Sequence, residues 1–282
     1  MNLKNQLETH LNEIARDRDP YMASAGHFFV QEYIRASFAK WGSVDIHTFY
    51  VGTKACKNLI LNLPSAAPSE KGDLPPILIG AHYDAVPGSP GADDNATGVA
   101  VLLELARMFA TEPIKYPLQL VAFDMEEYGL LGSTEYAAKL QQQQQPLRLM
   151  ISLEMLGYCN STPGSQTYPP PLQHIYPSRG DFIGLIGNWR TLRDLIGISR
   201  SIRKVGVPSQ WLPVPNKGHI VRQTRQSDHA PFWDAGYPAM MVTDTAFLRN
   251  PHYHKPSDTI ATLDLDFLTG VCQGLERGIR RL

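Results

Sequence analysis

From Asn58 onward, short apolar runs alternate with stretches of helical periodicity, and this rhythm constrains the fold more than any other feature of the chain. The runs 58–63, 77–81, 118–123 and 150–153 are each four to six residues long, and helical patterns at 98–109 and near 132–140 lie between them. Parallel strands cannot be joined by a tight turn and need a crossover, usually a helix, so the alternation predicts helices packed on a largely parallel sheet. The second half continues it with a strand at 182–186, a helix at 189–204, a strand at 239–243 and a closing helix at 266–282. Leu268, Val271, Leu275 and Ile279 mark the buried side of that last helix. Upstream, Leu3, Leu7, Leu11 and Ile14 recur at helical spacing, and 25–41 places Phe28, Phe29, Tyr33, Ile34 and Phe38 on a second helix stopped by Gly42. No repeat and no linker breaks the chain. The expectation is one α/β domain over 1–282, with a central mixed, largely parallel sheet, helices on both faces and the helices of 1–45 packed on the core.

Charge and composition narrow the function classes. With 26 Lys+Arg against 27 Asp+Glu the formal net charge is −1, which argues against a broad basic face for nucleic acid. No run approaches the ~18 apolar residues of a membrane span. The N-terminus lacks the apolar core of a secretory signal, so a cytoplasmic location is the expectation, or a secreted one if a leader was trimmed. Three cysteines without a CxxC spacing indicate neither a disulfide framework nor a thiolate metal site. Two irregular stretches stand out: Gln141 to Gln145, read as a solvated connector, and the Pro-, Ser- and Gly-rich loop 160–179, which follows a strand end and is expected to border a cleft.

The chemistry lies where apolar strands stop. Open α/β sheets bind ligands at the carboxyl ends of their strands, and five such places here carry acids or imidazoles. In ILIGAHYD, His82 and Asp84 are two apart and project to one side, the arrangement by which a carboxylate orients a metal-binding histidine. PGADDNATG puts Asp93 and Asp94 at a helix entrance, where a plain N-cap is the simpler account. FDMEEYGLLGS runs a strand into Asp124, Glu126 and Glu127, and adjacent buried carboxylates are costly unless a cation or proton compensates. Glu154 ends another strand, and NPHYHKPSDT carries His252, His254 and Asp258. A mixed imidazole and carboxylate set suits zinc better than calcium, although Co²⁺ or Mn²⁺ can occupy similar sites.

Taken in order, GAHYD, PGADDNATG, FDMEEYGLLGS, SLEMLGY, SDHAPF and YHKPSDT resemble the M28 zinc peptidases, the family of bacterial leucyl and related aminopeptidases. The resemblance covers roughly 58–282 and implies a fold of the zinc-peptidase and phosphorylase/hydrolase kind with two Zn²⁺ ions sharing a carboxylate. It implies His82, Asp94, Glu127, Glu154 and His254 as metal ligands, with Asp94 bridging and Asp84 as the outer partner of His82. It further implies Glu126 as general base and Tyr253 as a donor to the tetrahedral intermediate. Glu154 departs from the family, where an aspartate is usual. A cis bond after Asp94 occurs in several relatives. Asp228, His229 and Trp233, in SDHAPFW, are expected near the substrate pocket, together with 160–179 and 206–225.

Three carboxylates and one hydroxide balance the charge of two zinc ions, which leaves Glu126 free to carry a proton. The implied reaction is hydrolysis of peptides at a free N-terminus, with no nucleic-acid or membrane partner; the oligomeric state is not legible. Alternatives stay open: a single-zinc glutaminyl cyclase of the same fold, a glycosidase using paired carboxylates without metal, and a degenerate binding protein.

Overall fold

A computed structural model describes residues 2–66, 74–170 and 172–282. The chain begins with helices α1 (Leu3–Ile14) and α2 (Ser24–Phe38), then forms strands β1 (Val44–Val51), β2 (Lys54–Leu63) and β3 (Ile77–His82). Helix α3 (Gly98–Thr111), β4 (Leu118–Phe123), α4 (Leu131–Gln142) and β5 (Leu149–Glu154) follow as βαβ units. After the long loop come β6 (Ile183–Asn188), α5 (Leu192–Arg203), β7 (Ser209–Val214), the short α6 (His229–Asp234), β8 (Ala239–Thr243) and α7 (Leu265–Ile279).

The eight strands form one sheet in the order β1-β2-β4-β3-β5-β8-β6-β7. The centre, β4-β3-β5-β8, is parallel, as is the β6-β7 pair, while β1-β2, β2-β4 and β8-β6 are antiparallel. Alternate residues of one strand feed opposite faces. Ile77, Ile79 and Ala81 of β3 enter the larger core beneath α1, α2, α3, α5 and α7, whereas Leu78 enters the smaller one beneath α4 and α6. Leu7, Leu11 and Ile14 of α1 belong to the larger core.

Three sequence expectations shift. The buried face of α2 is His27, Val30, Gln31, Ile34 and Phe38, spaced by three and four, and Phe28 and Phe29 fall outside that stripe and are exposed. Strands β1 and β7 were not anticipated, because β1 is largely solvated and β7 lies at an edge with half-buried side chains. Gln141 and Gln142 finish α4, and all five glutamines are exposed. Cys56, Cys159 and Cys272 are free thiols. Among the described residues no helix is long and apolar enough to cross a membrane.

Candidate metal centre

Five segments, four of them leaving the carboxyl ends of the parallel strands, bring the chemistry together. His82 is the last residue of β3, and Glu154 is the last of β5. Glu126 and Glu127 follow β4, and His254 lies in the loop after β8. Asp94 lies in a widened helical turn, Ala92–Thr97, that leads into α3, and its bond to Asn95 is cis. Met125 and Met155, each beside a cluster carboxylate, adopt φ values of 61° and 49°, and His254 has φ 58°. Such left-handed conformations are costly for residues with a side chain and are found where surrounding structure enforces them.

The two oxygens of Asp94 face different imidazoles: Oδ1 is 3.3 Å from His82 Nε2, and Oδ2 is 3.1 Å from His254 Nε2. Around His82 Nε2 stand Glu154 Oε1 at 3.6 Å and Glu126 Oε2 at 3.9 Å. Around His254 Nε2 stands Glu127 Oε2 at 3.2 Å. The ligand atoms of His82, Asp94 and Glu154 lie within 4.8 Å of one another, and so do those of Asp94, Glu127 and His254. One carboxylate thus joins two three-residue groups, each with an imidazole and an outer carboxylate.

Both nitrogens of His82 and Oε1 of Glu127 are buried without a hydrogen-bond partner. A native interior seldom leaves such atoms unmatched, and when it does an ion is one explanation. Electron-pair donors converge here on common centres, so the residues fit divalent cations of the kind that imidazole and carboxylate bind.

The electrostatics record the crowding of acids. Burial alone would lower the His82 imidazole, but Glu126 and Glu154, with Asp84 and Asp94, hold it well above its usual value. His254 is likewise pushed up to about 10, against burial, by Asp94 and Glu127. Asp94 is held well below the carboxylate range despite its burial, because both histidines face it. Burial pushes Glu127 up to about 7, with Asp94 adding to the effect. Glu126 is raised well above the ordinary range by burial, opposed by His82 and reinforced by Glu154, Glu127 and Asp228.

A shell of hydrogen bonds fixes these groups. Asp84 stands 3.4 Å from His82 Nδ1 and accepts the backbone N–H groups of Glu126 and Glu127 at 3.1 Å each, locking β3's exit to β4's. Ser227 donates to Glu154 Oε2 at 2.7 Å, leaving Oε1 for the cluster. One oxygen of Glu154 is thus tied back while the other faces inward. Asp258 accepts the N–H groups of Asp93 and Asp94, and Asp93 accepts from Asn250 and from Gly157 N. Arg18, fully buried, donates to the carbonyls of Tyr83, Pro90, Gly91 and Asp94. Asp93 therefore anchors the turn and its capping loop and does not join the cluster. Ser227, Asn250 and Arg18 were missed, since none carries a local spacing signal.

Beside Glu154 and Tyr253 opens an apolar pocket with about 850 Å³ of atom-free space, its open mouth included. The ring of Tyr253 stacks on His254 with centroids 3.8 Å apart, and burial, then Asp94 and Glu154, hold its phenol above its usual value. Tyr168, Pro169, Leu172 and Tyr176 of the long loop and residues from 210 to 226 line the pocket, but Asp228, His229 and Trp233 are not among its lining. His229 bonds the carbonyl of Thr224, Trp233 that of Ala239, and both rings pack edge to face in the interior, where their apolar area is better buried. Asp228 is fully buried, with burial, above all, raising it to about 7. His252 bonds Ser257 and stays outside the cluster.

The chain is 38% identical over 261 residues to the uncharacterized protein YfbL of Escherichia coli, covering 86% of this chain and 77% of that one. It is 29% identical over 198 residues to the aminopeptidase YwaD of Bacillus subtilis, covering 65% of this chain and 36% of that protein. Its fold matches the LapA aminopeptidase of Legionella pneumophila at TM-score 0.73 and 19% identity, over 99% of this chain and 71% of that one. It matches the zinc aminopeptidase BSAP of Bacillus subtilis at 0.60 and 25%, over 82% and 50%. A glutaminyl cyclase of Bacteroides thetaiotaomicron aligns at 0.69 and 15%, over 99% and 97%. The chain thus spans most of YfbL but about a third to three quarters of the aminopeptidases. The family model of peptidase family M28 matches residues 58–182 and 197–275, and the chain belongs to that family.

Proposed function

We propose that this protein is a dinuclear zinc aminopeptidase. The observation that carries the reading is Asp94, whose two oxygens face His82 and His254, each beside a further carboxylate. His82, Asp94 and Glu154 would hold one ion, and Asp94, Glu127 and His254 the other; Co²⁺ or Mn²⁺ could substitute. When bound, such ions act as Lewis acids that make water more acidic and polarise a carbonyl.

The chain's own groups supply the rest. Glu126, in its ionised form, takes the proton of the attacking water and delivers it to the departing amine as the C–N bond breaks, and the proton affinity raised by its surroundings suits it to that acceptor role. Tyr253, whose phenol keeps its proton at neutral pH, donates a hydrogen bond to the oxyanion. The pocket ends at Glu154, beside the groups that would hold the ions, so a substrate's free α-amine seated there would lie against that centre, which favours cleavage at chain ends.

The test is Glu126→Gln. Turnover of aminoacyl-p-nitroanilides should fall by about 10²–10⁴ while two equivalents of zinc remain by elemental analysis. Activity that survives the substitution, or substrates with acetylated amines being cleaved equally well, would overturn the assignment. A second reading follows from the near-equal length shared with glutaminyl cyclase. Gln-terminated peptides separate the two, since cyclisation expels ammonia whereas peptidase action releases free glutamine.

A further inference from the structure

The pocket beside Glu154 runs sideways across the sheet. Glu154 of β5 is in register with Thr243 of β8, Thr243 with Gly184 of β6, and Gly184 with Gln210 of β7. Residues paired across strands share a face, so these four form one row, and all four line the pocket. At 4.7–4.9 Å between strands, three steps separate Glu154 from Gln210 by roughly 14 Å. That equals about four residues of extended chain, at 3.3–3.6 Å each, and exceeds the reach of any single amino-acid side chain.

The middle of the row is low because position 184 has no side chain. A Cβ there would find Thr243 O at 3.4 Å and Thr245 Cγ2 at 3.6 Å, ordinary contacts, so the backbone tolerates a larger residue whose side chain would stand in the trough. Met241, Ile186 and Leu212, the next row, continue the apolar floor. From the loop, Tyr168, Pro169, Leu172 and Tyr176 line the pocket, and the segments that carry them are fastened at both ends. Near β8, Gln166 bonds Thr245 and Arg249, and Thr167 N bonds Leu248 O. Over β7, Tyr176 Oη donates to Trp211 O at 2.9 Å, with the ring of Tyr168 stacked on that of Tyr176. Among the described lining residues, Glu154 alone is charged, and it marks the inner end beside the metal centre.

We propose that Gly184 sets the depth of this pocket and that the site accepts N-terminal residues whose apolar side chain is longer than one aromatic ring, such as a biphenyl or an extended alkyl group. This rests on the aminopeptidase reading for the direction in which substrate enters. The catalytic groups at the near end are untouched by a change at position 184, so Gly184 acts on specificity alone.

The experiment compares zinc-loaded wild type with Gly184→Val and Gly184→Ala on the p-nitroanilides of leucine, phenylalanine and 4-phenyl-phenylalanine. It also measures calorimetric binding of benzylamine and 4-phenylbenzylamine to the same three proteins. Wild type should process the biphenyl substrate at least as efficiently as the phenyl one and bind the longer amine about tenfold tighter, the gain expected from burying a second ring. Gly184→Val should remove that tenfold preference while leaving kcat/KM for leucine within about threefold, and Gly184→Ala should fall between, which guards against a folding defect in the larger variant. An unchanged long-to-short ratio in both variants overturns the inference. If wild type hydrolyses none of the three, the aminopeptidase reading fails, and the amine ratios still decide whether Gly184 limits the pocket.

Discussion

At the scale of single residues, Arg18 ties the site to the N-terminal segment. Its guanidinium is fully buried and donates at 2.6–3.1 Å to four carbonyls, including those of Gly91 and Asp94, in the turn that presents the Asp94 carboxylate. Arg18→Met removes every one of these donors and leaves the carbonyls dry. An unmet buried acceptor costs about 1–3 kcal/mol, so a loss of roughly 2–4 kcal/mol is expected after partial relaxation, measurable by urea denaturation of zinc-free protein. Zinc affinity should weaken by about 10–100-fold, the usual effect of removing an outer support of a metal ligand. A variant as stable as wild type would show that water can replace the guanidinium. Arg18 was invisible in the sequence for a physical reason: its shorter bonds go to backbone carbonyls 65 to 76 positions away, and such bonds impose no spacing on side chains. His82, Glu126, Glu127 and Glu154 stood out because each lies at or just beyond the end of an apolar strand, where a charge demands explanation, whereas Asp94 and His254 lie in a turn and a loop and were marked only by the resemblance of their motifs to the family. Trp233 and His229, expected near the pocket, pack in the interior; in sequence an aromatic residue near a motif looks the same whether it lines a cavity or fills the core.

Among elements, the pairing of α5 with α7 shows how closely this sequence specifies its packing. Gly270, Gly274 and Gly278 recur every four residues on α7, and a Cβ at Gly274 would come 2.6 Å from Ile202 Cα, a backbone atom that cannot swing aside. At Gly278 the corresponding approach to Ile198 Cα is 3.2 Å. In an isolated helix Gly→Ala would gain about 1 kcal/mol; here Gly274→Ala forces the helices apart and should cost about 1–3 kcal/mol net. Thermal unfolding of the variant checks the sign, and turnover per folded molecule should stay within about twofold, because α7 contributes no residue to the centre. The strands with apolar sequences, β3, β4, β5 and β8, were recognisable because burial on both faces leaves uninterrupted hydrophobic runs. Strand β1 offered a weaker signal: Gly52 at φ 61° in the two-residue turn before β2 could have marked the hairpin.

For the molecule as a whole, the centre is a place where stability and function oppose each other. The carboxyl of Glu127 is enclosed, and it is pushed up to about 7 by burial and by Asp94, whereas in an unfolded chain it titrates near 4.5. A carboxyl raised in the fold binds its proton more tightly there than when unfolded. Its ionised form therefore carries no penalty below about pH 4.5, a growing one between 4.5 and 7, and a constant one above. In zinc-free protein at pH 8, Glu127→Gln should consequently raise stability, by roughly 1–3 kcal/mol, and the gain should vanish as the pH is lowered to 4.5. With metal the order reverses. A ligand that binds only the folded state stabilises by RT ln(1 + [L]/Kd), about 2.7 kcal/mol at a hundredfold excess over Kd. Wild type should gain this with rising zinc, and the variant, short of one anionic ligand, should gain less. Denaturation curves of both proteins at pH 8, with chelator and with zinc, would cross in the order of their midpoints. If wild type were the more stable in chelator as well, Glu127 would be satisfied by the fold itself, and the case for a cation held between Asp94, Glu127 and His254 would lose its energetic basis.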